Sequence, residues 1–148
     1  HCPTSNLFLG SCLFDLEKLR GPARPVKVGV ATDVAGGTSY SMLHTLGEAY
    51  KVAALRGQTL TAHDAFHTAS RGNAMHLGLE QEIGTLDPGK WADIVVLDPT
   101  ATAVLRERNA LSGDLESTLF ALMMLGDDRA IRATYVAGRR VKGAAPQA

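Results

Sequence analysis

A carboxylate stands where an apolar run of the chain meets a glycine-rich loop. The run covers residues 26–31, Asp33 follows it, and Gly36-Gly37 then gives the backbone freedom. Near-continuous apolar runs are typical of buried strands in a parallel sheet, and α/β barrels place their active sites at the carboxyl ends of such strands. Asp33 is therefore a candidate for catalysis or metal binding. It could equally cap the turn or helix that follows, and the residue alone leaves both interpretations open.

The histidines form a weaker candidate. His63 and His67 are four residues apart and would share one face of a helix. The metalloprotease pattern requires Glu directly after the first His, whereas Asp64 follows here. We therefore interpret the pair as surface or helix-packing residues, and the single residues His44 and His76 in the same way.

Other nucleotide and metal motifs are missing from the sequence. Cys2-Pro3 lacks a second Cys at metal-binding spacing, which excludes the zinc deaminases that carry a Pro-Cys-x-x-Cys signature. Gly36-Gly37 is not part of a Gly-x-Gly-x-x-Gly or Gly-Lys-Ser/Thr pattern, so a phosphate cradle is not expected.

Helical periodicity and capping residues predict the elements that must position Asp33. The predicted helices are 13–19, a helix from an N-cap at Thr38 to Gly57, a helix from an N-cap at Thr61 to Gly78, and 115–123 before Gly126. The predicted strands are 26–31, a hairpin of 82–86 with 92–97, and a closing hairpin of 132–136 with 139–141. The tail from Gly143 is expected to fray.

The composition bounds the class of protein and its partners. The 148 residues are 45% hydrophobic, enough for one sizeable core of a soluble globular protein. Lys+Arg and Asp+Glu are both 15, so nothing points to nucleic acid or an anionic membrane, and a small neutral partner fits better. No apolar run approaches a membrane span of roughly 20 residues. Cys2 and Cys12 are too few for a disulfide framework, which favours free thiols in the cytoplasm.

Four segments resemble guanine deaminases, a family of the amidohydrolase superfamily. Residues 31–43 (ATDVAGGTSYSML) resemble that family's segment after the eighth barrel strand, and residues 1–6 (HCPTSN) resemble its seventh-strand motif. Residues 82–99 (EIGTLDPGKWADIVVLDP) are similar to the return of amidohydrolase chains into a small β domain, a feature of the superfamily generally. The DVAGG signature and residues 125–129 (LGDDR) favour guanine deaminases over other members.

This resemblance implies an α/β fold that is the C-terminal portion of a (β/α)8 TIM barrel plus part of a small β domain. Residues 1–80 would hold strands 7 and 8 with their helices, and residues 81–148 the β-rich C-terminal segment of the composite domain with one helix. The chain begins with His1 rather than Met, so we expect it to be part of a longer enzyme, which the resemblance implies is a homodimer.

The resemblance also implies the chemistry. Guanine would be hydrolysed to xanthine and ammonia by water that a single zinc activates, with Asp33 as a zinc ligand that also relays a proton. A divalent cation lowers the pKa of water from 15.7 to roughly 7, so such a carboxylate can accept its proton. Asp33 would also contact the purine. Asn6 and Ser5 would help to shape the pocket, although a turn stabilised by their side chains explains them equally.

Several residues that the family needs are absent from this sequence. The family's His-x-His pair after the first strand, its histidines after the fifth and sixth strands and its acid/base Glu have no counterpart here. A zinc site needs three or more protein ligands. We therefore expect that Asp33 alone does not hold zinc and that the isolated chain is inactive.

Two other functions remain open. The first is another amidohydrolase activity on a different amino- or chloro-heterocycle, because the absent segments supply most of the pocket. The second is a non-catalytic fragment that acts as an interaction unit.

Overall fold

The computed structural model describes residues 1–23 and 25–142 as an α/β fold with a small antiparallel sheet. Its α-helices are α1 (Pro3–Leu9), α2 (Leu16–Arg20), α3 (Met42–Leu55), α4 (Ala62–His67), α5 (Asn73–Leu77), α6 (Ala103–Ala110) and α7 (Leu115–Leu125). Its strands are β1 (Ile94–Leu97), β2 (Ile131–Val136) and β3 (Arg139–Lys142). No helix within these ranges is long and apolar enough to cross a membrane. The predicted frayed tail lies outside the described residues.

Helix α3 lies at the centre of the core. Its N-cap is Ser41, whose hydroxyl accepts a hydrogen bond from the His44 N–H at 3.3 Å. The predicted N-cap, Thr38, was three residues too early, because the loop after Asp33 continues to Ser41 before the helix begins. The buried face of α3 includes Leu43, Leu46, Ala49, Val52 and Ala53.

Helix α7 packs closely on α3. A Cβ added at Gly47 would lie 2.8 Å from the carbonyl oxygen of Met123, so a larger residue would push the two helices apart. One helical turn along, the rings of Tyr50 and Phe120 meet edge to face with centroids 5.1 Å apart. Helix α7 therefore completes the same core as α3, although it follows much later in the chain.

The predicted helix from Thr61 to Gly78 is present but interrupted. Thr61 caps α4 by accepting a hydrogen bond from the Asp64 N–H, and Gly78 ends α5 with a φ of 73°. Between them a π-helical turn at Thr68–Gly72 links the two helices. Directly after this turn, the Asn73 side-chain amide both donates to the Val30 carbonyl at 2.9 Å and accepts from the Val30 N–H at 3.2 Å. The helix thereby holds the segment that leads to Asp33.

The first predicted helix, 13–19, begins later in the structure. Asp15 is the N-cap of α2 and accepts a hydrogen bond from the Lys18 N–H at 3.0 Å. Because this cap satisfies a backbone donor of the first turn, it favours a helix that starts at Leu16.

The predicted hairpin of 82–86 with 92–97 was wrong. The strand β1 pairs instead with β2, antiparallel, and β2 pairs with β3, giving the order β1-β2-β3. Residues 82–85 form turns and bends. Gly84 has a φ of 96° and lies against α5, where an added Cβ would be 2.8 Å from the Ala74 Cβ. That conformation is incompatible with an extended strand. The closing hairpin of β2 with β3 was predicted correctly.

The segment 81–142 contains two helices, whereas the sequence predicted one. The additional helix is α6, which begins after the Thr102 N-cap and buries Leu105 completely. Leu105 packs in a second cluster with Leu43 of α3 and Leu122 of α7. The charged residues 106–108 interrupt the apolar pattern of α6, which is why periodicity did not indicate it.

Candidate active site at Asp33

The segment before Asp33 pairs with the backbone of His1 through two hydrogen bonds. The α-amino group of His1 donates to the Gly29 carbonyl at 2.8 Å, and the Ala31 N–H donates to the His1 carbonyl at 3.1 Å. Two bonds from one residue to the neighbours of Val30 form the pattern of a parallel pair. The predicted strand 26–31 is not among the strands of the structure. It nevertheless forms these two backbone bonds, and Val28 and Val30 are each only 5% exposed.

Asp33 lies in a tight loop and is exposed to solvent. Its φ is 47°, in the left-handed region, and its carbonyl accepts a hydrogen bond from the Gly37 N–H at 2.5 Å. Ala35, two residues later, has a φ of 94°. The carboxylate lies over Gly36, where an added Cβ would be 3.0 Å from its Oδ2. The side chain is thus neither buried nor used as a helix cap, since Ser41 caps α3.

Thr4 of α1 contacts the backbone directly before Asp33. Its hydroxyl donates to the Thr32 carbonyl at 3.0 Å, and the residue is only 2% exposed. Gly37 fills the remaining space, because an added Cβ there would overlap the Thr32 carbonyl and lie 2.7 Å from the Thr4 hydroxyl. Sequence reasoning missed Thr4. No local signal marks it, since its partner is 28 residues away along the chain.

The other residues predicted for the pocket, Asn6 and Ser5, lie in α1 rather than in a loop. The Ser5 hydroxyl donates to the Cys2 carbonyl at 3.1 Å, and Ser5 is only 2% exposed. Asn6 is half-buried, and its carbonyl accepts the Ser11 N–H at 3.0 Å near the end of the helix. Ser5 therefore has a local structural role, while the role of Asn6 in a pocket stays a prediction.

The loop after Asp33 meets the LGDDR segment. Residues 39–41 and His44 line one surface cavity together with residues 126–128. Within that segment, hydrogen bonds from the Arg129 side chain and from the Arg129 N–H hold the pKa of Asp127 below its usual value. The residues that follow the DVAGG signature and the LGDDR segment are therefore neighbours in space.

The histidine pair has no metal site around it. Among the residues that the structure describes, no group of three or more His, Cys, Asp or Glu side chains is placed to hold a metal ion. His63 instead pairs with Glu116 of α7. Asp33 thus offers one exposed carboxylate. This group can accept a proton, or it can serve as one ligand of a cation whose other ligands come from elsewhere.

Comparison with known proteins agrees with the motifs. The chain is 52% identical over 140 residues to guanine deaminase of Escherichia coli (strain K12), covering 95% of this chain and 31% of that protein. The solved structure of the E. coli enzyme superposes with a TM-score of 0.92 and covers 97% of this chain and 33% of the other. A guanine deaminase structure from Bradyrhizobium japonicum gives a TM-score of 0.87 at 35% identity, covering 97% of this chain and 37% of the other.

Another relative is named for substrates other than guanine. The chain is 38% identical over 134 residues to a 5-methylthioadenosine/S-adenosylhomocysteine deaminase of Symbiobacterium thermophilum, covering 80% of this chain and 30% of that protein. The chain spans about a third of the length of these curated relatives. Residues 1–141 match the model of the Amidohydrolase family, which is nearly all of the chain. This chain therefore belongs to the amidohydrolase family.

Proposed function

We propose that the protein containing this chain hydrolyses guanine to xanthine and ammonia, with Asp33 in its active site. The observation that carries the proposal is the exposed Asp33 carboxylate just after the segment that pairs with His1, inside the motif that resembles guanine deaminases. The similarity to the E. coli enzyme over 95% of the chain supports the same activity.

The proposed architecture is the end of a (β/α)8 barrel. Residues 1–80 would supply strands 7 and 8 with their helices, and residues 81–148 the β-rich part of a composite domain. The parallel bonds between His1 and the residues around Val30 support the pairing of two consecutive barrel strands. At the carboxyl end of that pair, Asp33 would face the mouth of the barrel.

Zinc is the proposed cofactor, one ion for each complete active site. The described residues fit this role only in part, because Asp33 supplies one oxygen ligand where a zinc site needs three or more. The remaining ligands would come from outside the described residues. When bound, the cation supplies Lewis acidity that lowers the pKa of water to roughly 7.

The role of Asp33 in the reaction follows from its position. Its carboxylate would accept the proton of the attacking water while the new C–O bond forms at the ring carbon that carries the exocyclic amine. The proton would then pass to that nitrogen as the C–N bond breaks, so that ammonia leaves and xanthine remains. Asp33, together with Asn6 of the motif at residues 1–6, would also contact the purine.

The wider setting is likewise proposed from the resemblance and the composition. We expect a homodimer with a small-molecule purine substrate and without nucleic acid or membrane partners. A cytoplasmic location fits the free thiols of Cys2 and Cys12.

A chimera tests the proposed function. This chain would replace the matching third of E. coli guanine deaminase, which supplies the segments that the chain lacks. The chimera should deaminate guanine, and Asp33→Asn should lower kcat by about 10²–10⁴-fold, the usual contribution of a general base. Asp87→Asn, an exposed aspartate in the 79–91 loop, is the matched control and should leave kcat unchanged. Full activity of Asp33→Asn in a folded chimera would disprove the role of Asp33.

The alternative substrate class is favoured by the relative named for 5-methylthioadenosine and S-adenosylhomocysteine. Ammonia release from guanine and from these two nucleosides, and chloride release from a chloro-heterocycle, separate the candidates when each is measured as kcat/KM in the full-length protein that contains this chain. A higher kcat/KM for either nucleoside or for the chloro-heterocycle than for guanine would replace guanine as the proposed substrate. If the chimera folds and releases nothing from any of them, the chain is better regarded as an interaction unit.

A further inference from the structure

A buried hydroxyl controls the direction of the peptide unit that leads into Asp33. The Thr32 carbonyl belongs to the peptide plane between Thr32 and Asp33, so its direction sets both the ψ of Thr32 and the φ of Asp33. The Thr4 hydroxyl donates to that carbonyl at 3.0 Å from a site that is 2% exposed. This hydrogen bond therefore helps to hold the φ of 47° at Asp33.

The surroundings leave the peptide plane little freedom. Gly37 lies so close that an added Cβ would overlap the Thr32 carbonyl and lie 2.7 Å from the Thr4 hydroxyl. On the other side of Thr32, the Ala31 N–H is bound to the His1 carbonyl at 3.1 Å. Residues 1–4 thus hold the backbone before Asp33 at two points, one from His1 and one from Thr4.

We propose that Thr4 is a positioning residue that aims the Asp33 carboxylate, an inference that rests on the function proposed above. Without the hydroxyl the Thr32 carbonyl loses its partner, the peptide plane can rotate, and the carboxylate moves with it. The chemistry is sensitive to such movement, because a misplacement of about 1 Å costs on the order of 10²-fold in rate. Thr4 itself does not touch the reacting atoms.

The test is a set of variants in the E. coli chimera. Thr4→Val keeps the shape and removes the hydroxyl, and it should lower kcat by about 10–100-fold while KM stays within roughly twofold. Thr4→Ser restores the donor and should restore kcat. Thr45→Val is the matched control, since it removes an equally buried hydroxyl that donates to the Ser41 carbonyl at 2.9 Å, away from Asp33.

The outcomes separate positioning from packing. The proposal is supported if Thr4→Val alone loses kcat and Thr4→Ser regains it. The thermal midpoint and the zinc content of Thr4→Val should then equal those of Thr45→Val. Wild-type kcat in Thr4→Val overturns it, as does an equal loss of kcat and thermal midpoint in both Val variants. Thr4→Ala provides a second test if Val is not accommodated, and wild-type kcat there would also overturn it. Full activity of Asp33→Asn would instead disprove the role of Asp33 in the proposed function, and a folded chimera without guanine deamination would contradict that function.

Discussion

At the residue scale, the loop around Asp33 holds unfavourable backbone conformations close to the proposed chemistry. Asp33 and Ala35 have φ values of 47° and 94°. Sparsely populated conformations of this kind cost on the order of 1–3 kcal/mol each and persist only when the surrounding structure fixes them. Here Thr4, acting on the Thr32 carbonyl, and the backbone of Gly37 supply that constraint. The strain is thus maintained by contacts that the sequence alone does not reveal.

The two glycines of the loop should respond differently to the same substitution. A Cβ at Gly37 would overlap the Thr32 carbonyl, which is backbone and cannot easily move, whereas a Cβ at Gly36 would meet the mobile end of the Asp33 side chain at 3.0 Å. In the chimera we expect Gly37→Ala to lower both the thermal midpoint and kcat, and Gly36→Ala to lower kcat with little change in the midpoint. Thermal unfolding and steady-state kinetics measure both effects. An unchanged midpoint in Gly37→Ala would mean that the close approach is not a constraint.

At the element scale, what could be predicted from the sequence depended on whether the signal was local. The helix that begins after Thr61 and the helix that ends before Gly126 were predicted. Their signals, a capping residue or a terminal glycine together with the apolar periodicity, lie within or next to the element itself. The strand that pairs with β1 was not predicted, because the composition of a strand does not specify which other strand it pairs with. The place of Asp33 after an apolar run made it a candidate from the sequence alone, and its role stays a prediction. Thr4 could not be found in this way, because its hydrogen bond joins residues that are 28 apart along the chain.

One helix start depends on a residue from another element. The Glu116 carboxylate of α7 accepts the N–H groups of Ala62, by a 2.6 Å bond, and of His63, by a 3.0 Å bond. Burial tends to raise the pKa of Glu116, but these two backbone donors and the His63 imidazole outweigh it and hold the pKa below its ordinary 4.5. Glu116 therefore joins α7 to the first turn of α4 and complements the positive end of that helix.

Removing Glu116 should loosen the start of α4. We expect Glu116→Ala in the chimera to speed hydrogen exchange at residues 62–64 by roughly 2- to 30-fold, which corresponds to about 0.5–2 kcal/mol for a lost cap. Because the pKa is lowered in the folded state, this stabilisation is present at neutral pH and is lost as the pH falls below 4.5. The matched control, Glu107→Ala at an exposed position of α6, should leave this exchange unchanged. Equal exchange in both variants at pH 7 would contradict the capping role.

At the scale of the whole molecule, the described surface carries many large apolar side chains. Phe8 is 69% exposed, Tyr40 86% and Leu86 80%, and further exposed residues include Leu9, Leu55, Leu77, Leu111 and Leu115. Scattered apolar residues are normal on a protein surface, but so many on a small chain favour contact with further protein. The relatives, of which this chain covers about a third, have the additional length to provide it.

The isolated chain should therefore differ from the chimera in three measurable ways. It should show no guanine deamination, because it offers Asp33 without a full set of metal ligands among its described residues. It should bind less than one zinc per chain by elemental analysis, whereas the chimera binds about one per active site. It should also self-associate and bind a hydrophobic dye, since an incomplete barrel leaves strand edges and apolar faces uncovered. Robust guanine turnover by the chain alone would refute the need for additional metal ligands. A stable monomer in light scattering that binds no dye would refute the proposal that the chain is an incomplete barrel.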